Sequence, residues 1–289
     1  MNAIRLQAPS RLDYFATLVA ADEGLPLLEA AIAVGQDVDP DLDPQAVLVE
    51  LDTLGRRLAR RIPADAVPLQ RLRFLNRYFF DELAFGGNVN DYYAPANSYL
   101  HLVLDSRRGI PITLALLYIE FASHAGLTAR GIGFPGHFLV KLRMPRGEVV
   151  IDPFSGHSLS REDLEERLAP YRRQRGLVGE FEVPLGLFLQ TASARDILAR
   201  LLRNLKEIHR SAGEWDKLLA VQQRLVILLP QAWDERRDRG LALAELGRLD
   251  AAALDIEIYL EHCDDADDAA ALRARLAGLR GGDAPGWRA

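Results

Sequence analysis

Residues 109–121 are apolar on almost every side, with Ile110, Ile112, Leu114, Ala115, Leu116, Leu117, Ile119 and Phe121 in close succession. At helical spacing this run leaves no polar face, so the helix it forms must be surrounded by other elements. A bilayer span needs about 20 predominantly apolar residues. This run is shorter and already contains Glu120. The chain therefore has to build a core around one helix, and no membrane partner is expected.

The next residues supply a sheet. Gly126 ends the helix, and 129–134, 137–143 and 149–152 read as strands, with Pro145-Arg146-Gly147 as the turn between the last two. A buried helix followed by an antiparallel sheet predicts an α+β fold, centred on a core of residues 86–189. Before it, 1–85 reads as a helical N-terminal region. Ser10 caps a first helix carrying Leu12, Phe15, Leu18 and Val19. A second starts at Pro26, and Gly35 is placed to end it. The acidic stretch 37–44 lacks the glycine and distal glutamate of a calcium loop in register. It reads instead as a turn in which Asp43 caps a third helix and Pro44 takes its first position. Arg56, Arg57, Arg60 and Arg61 then compensate that helix's dipole. A fourth helix is expected over 68–83.

Beyond residue 190 the pattern is helical and repeats itself. Gly213-Glu214-Trp215-Asp216 returns as Gly247-Arg248-Leu249-Asp250, 34 positions later (247 − 213). That is the period of a tetratricopeptide repeat (TPR). Two TPR-like repeats are expected over 190–280, packed on the middle part of the chain because two are few for a free solenoid. Residues 281–289 read as a flexible tail. Repeat helices of this kind predict a protein or peptide partner.

Charge and cysteine narrow the classes. With 35 basic and 41 acidic side chains, formal charge −6, the chain lacks the basic surface of a nucleic-acid binder. Its single cysteine, Cys263, excludes an internal disulfide framework and any multi-cysteine metal site. A lone thiol and the lack of a leader-like N-terminus suit the cytoplasm.

The pattern richest in chemistry is Gly133-Phe134-Pro135-Gly136-His137-Phe138, followed after the turn by Ile151-Asp152-Pro153-Phe154. On paired strands His137 and Asp152 fall on one face as near neighbours. A carboxylate beside an imidazole is the orienting half of a nucleophile–His–Asp set, and equally a polar tie across a hairpin. His157 lies in the same region, but without zinc-ligand spacing, so neither a metal nor another cofactor is expected. Upstream, 86–98 is a polar, aromatic loop in which Asn88, Tyr93, Asn97 and Ser98 are candidate ligand contacts. Arg107 and Arg108 flank the start of the core helix. There they can recognise an anion, or bind Asp105 or the loop.

Helix, histidine strand and aspartate strand follow in the order of the transglutaminase-like (papain-type) cysteine enzymes, which this region resembles. The whole set of motifs is similar to the SirB-type bacterial proteins. It comprises Phe85-Gly86-Gly87-Asn88, Asp91-Tyr92-Tyr93, Asn97-Ser98-Tyr99-Leu100, Arg108-Gly109-Ile110-Pro111-Ile112 and the two stretches above. That resemblance implies a degenerate transglutaminase-like core between N-terminal helices and C-terminal TPR-like repeats. It also places Pro111 where the enzymes carry their nucleophilic thiol at the head of the central helix. Two function classes stay open. One is a non-catalytic, regulatory module that binds a protein or peptide. The other is an atypical hydrolase or acyl transferase in which His137 is the base, Asp152 orients it, and water or Thr113 replaces the thiol.

Overall fold

The computed structural model describes residues 9–177, 179 and 183–281. Of the expected tail, 282–289 lies outside them. By their contacts the described residues divide into two compact units. One joins the chain up to Leu42 with the chain from Leu198 on; the other holds Asp43–Ile197.

The first unit begins with α1 (Arg11–Leu18), closed at its head by a reciprocal capping box between Ser10 and Asp13. α2 (Leu27–Ala33) does not stop at Gly35 but tightens into a 3-10 turn over Val34–Asp37. Gly35 is buried inside that turn. The reason is Asp37: the turn delivers its carboxylate to Arg224 in a bidentate pair, both contacts 2.7 Å. Arg224 is wholly buried and also lies over the Phe15 ring, 4.8 Å from its centroid.

The second unit opens with α3 (Pro44–Ala59), capped by Asp43 through the Gln45 amide. α4 (Pro68–Asn76) runs on as a π-helical turn over Arg77–Glu82, which sets both Phe79 and Phe80 against the Tyr118 ring. β1 (Gly86–Gly87) pairs in parallel with β2 (Arg108–Gly109), and α5 (Leu100–Ser106) lies between them in sequence. α6 (Pro111–His124) is the central helix, with ten buried residues among its fourteen. β3 (Ala129–Ile132), β4 (Leu139–Met144), β5 (Gly147–Ile151) and β6 (Ser158–Leu159) form an antiparallel meander in sequence order. Ile132 faces Leu139 and Val140 faces Ile151. Side chains alternate across the sheet, so Ile132, Leu139 and Val150 share one face. They pack with Leu164 and Leu168 of α7 (Arg161–Gln174) and Leu185 of α8 (Leu185–Phe188). The opposite set, Ala129, Val140, Leu142 and Ile151, is also buried, and α6 packs on β3 and β4.

The boundary to the first unit falls inside α9 (Ala194–Ser211). α10 (Trp215–Leu228), α11 (Trp233–Glu245), α12 (Leu249–His262) and α13 (Ala269–Gly281) complete the array. The 34-residue period holds in its hydrogen bonds. Gly213 and Gly247 both take φ near +70° and donate to Arg210 and Ala244. Glu214 and Arg248 donate to His209 and Leu243. Cys263 is the C-cap of α12, the counterpart of Leu229, and packs at the edge of the Ile256, Tyr259 and Leu272 cluster. Among the described residues no helix is long and apolar enough to cross a membrane.

The division differs from a sequential one. Helices of 1–85 fall into both units, and the short repeat array groups with the segment up to Leu42 rather than with the middle part, because Asp37 pairs with Arg224. Removing one member of a buried ion pair strands the other, at about 3–5 kcal/mol. Asp37→Ala and Arg224→Met should each destabilise the repeat unit by that order, with the double variant losing less than the sum. Urea unfolding followed by tryptophan fluorescence reads it, because Trp215, Trp233 and Trp287 all lie in the C-terminal part.

Candidate functional site

His137 and Asp152 stand just outside the paired ends of β4 and β5, diagonal to one another. Gly136, at φ +68°, turns the chain, and the His137 amide donates to Phe134 O. This brings His137 Nε2 to 2.8 Å from Asp152 Oδ1. Asp152 is almost fully buried and takes two further bonds. The Phe154 amide donates to Oδ1 at 3.0 Å, and Arg167 Nη1 donates to Oδ2 at 3.0 Å. Burial by itself opposes ionisation of this carboxyl. The bond and charge of His137, then Arg167 and the Phe154 amide, outweigh it and hold its pKa well below the usual carboxylate range. About a fifth of the His137 side chain stays exposed.

The Phe154 ring links the pair to the rest of the unit. It meets the His137 ring edge-on at 6.4 Å and Tyr92 at 5.8 Å. On another side lies Gly87, whose amide donates to Phe154 O. A Cβ at position 87 would come within 2.3 Å of the ring, so only glycine allows β1 this close.

The loop candidates turn inward. Asn97 is buried; its Nδ2 donates to Asp91 O and Tyr92 O, and its Oδ1 accepts from Asn88 Nδ2. Ser98 is fully buried. Tyr93 alone of these points outward, 76% exposed, edge-on to Tyr92. Arg108 donates to Ala84 O and Arg107 O, while Arg107 takes a left-handed backbone and stacks over Phe85. Among the described residues, neither arginine contacts Asp105 or the side chains of the loop. Both brace the stretch in which β1 pairs β2.

At the head of α6, Thr113 is fully buried. Its hydroxyl accepts from the Ile110 amide and donates to Asn97 O at 2.8 Å or Ile110 O at 3.0 Å. It closes the first turn and ties it to the polar loop. Pro111 is the first residue of the helix. His157 is exposed and reaches Asp152 only through its backbone carbonyl.

The transglutaminase-like superfamily profile matches residues 45–203, more than half of the chain. The chain belongs to that superfamily. A tetratricopeptide repeat profile matches 205–277. Curated relatives run nearly the full length. A UPF0162 protein of Xylella fastidiosa (strain 9a5c) is 35% identical over 261 residues, covering 89% of this chain and 91% of its own. One from Pseudomonas aeruginosa is 32% identical, covering 90% and 93%. The UPF0162 protein YchA of Escherichia coli (strain K12) is 26% identical, covering 87% and 91%. No solved structure matches the chain.

Within this superfamily member, Arg167 is the contact that sequence reasoning missed. Its signal was present: Ser160 and Asp163 form a capping box that starts α7, and Arg167 stands one turn beyond Leu164, at the exposed edge of the buried stripe. A carboxyl whose folded pKa is depressed stabilises the protein above its unfolded value, near 4. That stability is lost as pH falls toward the folded value. Asp152→Asn should therefore cost about 2–3 kcal/mol at neutral pH, since bonds to a charged group are lost. The gap to the parent should narrow below about pH 4. Melting temperature measured against pH checks both.

Proposed function

We propose that this SirB-type chain is a regulatory binding module of the cytoplasm. Its transglutaminase-like core no longer performs acyl transfer, and its repeat helices dock a protein or peptide partner. The observation that supports this most is the head of α6. Where the resemblance places a thiol, the chain has Pro111, which carries neither a nucleophilic atom nor an amide hydrogen. The nearest hydroxyl, Thr113, is sealed and hydrogen-bonded to backbone groups. A hydroxyl needs an adjacent base to attack an amide, and the Thr113 hydroxyl bonds two carbonyls and an amide. Tetratricopeptide repeats generally mediate protein–protein contacts, which supports the docking half.

One observation favours a second reading. His137 is oriented by Asp152 at 2.8 Å and partly exposed, the arrangement of a general base that activates water. A panel of ester and amide acyl donors separates the two. On the binding-module reading, parent and His137→Ala show the same background rates, and tagged full-length protein captures the same partner with either residue at 137. A loss of about 100-fold or more in hydrolysis on His137→Ala would instead establish the base.

A further inference from the structure

Within the repeat unit a groove of about 450 Å³ opens among α9, α10, α11 and α13. It is lined by charge, yet each charged lining residue already has an opposite partner. Lys206 binds Glu235 and Asp238, and Arg237 binds Asp238 and Asp268. Arg210 pairs with Glu207, and Arg275 with Glu245. A polyanion entering the groove has to compete with a carboxylate for each cation it touches.

Gln222, on α10, is different. It lines the groove at 1% exposure, and neither its carboxamide oxygen nor its nitrogen has a hydrogen-bond partner. Leaving a buried amide unpaired is costly to the folded chain and rare enough to require a reason. Both atoms are closed over beneath the groove wall, and the broad terminal torsion of glutamine lets the carboxamide turn out to an incoming group. It presents one acceptor and two donors side by side. In an extended chain one residue directs its N–H and C=O to the same side, which matches that pair. Trp215, Leu218 and Leu241 supply apolar wall for a neighbouring side chain.

We propose that this groove takes an extended, uncharged peptide segment, held by a two-bond pairing between one of its main-chain residues and the Gln222 carboxamide. The inference rests on the docking role of the repeats and adds which residue reads the partner and what the partner presents.

The test uses full-length protein on an array of short random peptides lacking Asp, Glu, Lys and Arg, with an acidic array beside it. The parent should bind a subset of the neutral peptides with affinity that does not change between low and high salt. Gln222→Leu should weaken that binding by about tenfold or more, as loss of a two-bond pairing implies. The same variant should melt a few degrees higher, because it removes unpaired buried polar atoms at similar volume. N-methylation along a bound peptide should find one position with the same loss, which adds nothing in the leucine variant. A lower melting temperature, unchanged peptide affinity, no neutral binder, or a salt-sensitive preference for acidic peptides would each overturn the proposal. If Gln222→Leu still captures the partner taken by the parent, the groove assignment fails while the docking role stands. Capture by neither protein would end the docking role itself.

Discussion

A helix that is apolar all round has to be enclosed, and the Asp43–Ile197 unit is organised by that requirement on α6. The sheet covers it with β3 and β4, and α3, α4 and α5 pack on it elsewhere. An aromatic cluster closes the remaining side, with Phe79, Phe80 and Tyr78 meeting Tyr118 or Phe121. The two polar groups on the helix that are buried in this shell are bonded. Tyr118 donates to Asn76, and Thr113 to Asn97 or Ile110. Enclosure also fixes the site indirectly. The face of the sheet away from α6 is the one that carries Asp152 to Arg167 of α7.

Much of this was legible because it is local. The strand runs read from the sequence lie within a few residues of β3, β4 and β5, and Ser10 and Asp43 mark real caps. The glycine spacing of 34 marks a repeat whose turns match bond for bond. What was not legible is long-range. Asp37 and Arg224 are 187 positions apart, and each reads by itself as a surface charge. Together they attach the N-terminal helices to the repeat array, which no linear division of the chain expresses. The π-helical turn was hidden for a related reason: it answers to the positions of Phe79 and Phe80 against Tyr118, not to local propensity.

The candidate site shows the same limit in finer grain. The polar loop 88–98 looked like a ligand surface because it is dense in hydrogen-bonding groups. Its buried end does not present those groups to a ligand: Asn88 and Asn97 bond one another and loop backbone, while 89–93 lie at the surface. Asn97 holds the carbonyls of Asp91 and Tyr92, and the two arginines at 107 and 108 brace backbone and ring. Of the four candidates named in the loop, Tyr93 is the exposed one.

Two buried polar side chains then define the contrast on which a functional reading turns. Asp152 sits in three hydrogen bonds, and its charge is balanced by Arg167. Those bonds outweigh the cost of burial and hold the ionised form, so its presence is explained by structure whether or not His137 acts as a base. Gln222 has comparable burial and no bond at all. Stability alone would replace it with leucine, because an apolar side chain of similar size loses nothing there. A group that the fold satisfies says little about what the protein does; a group that the fold leaves unsatisfied, on the wall of a groove, is the one whose cost a ligand can offset.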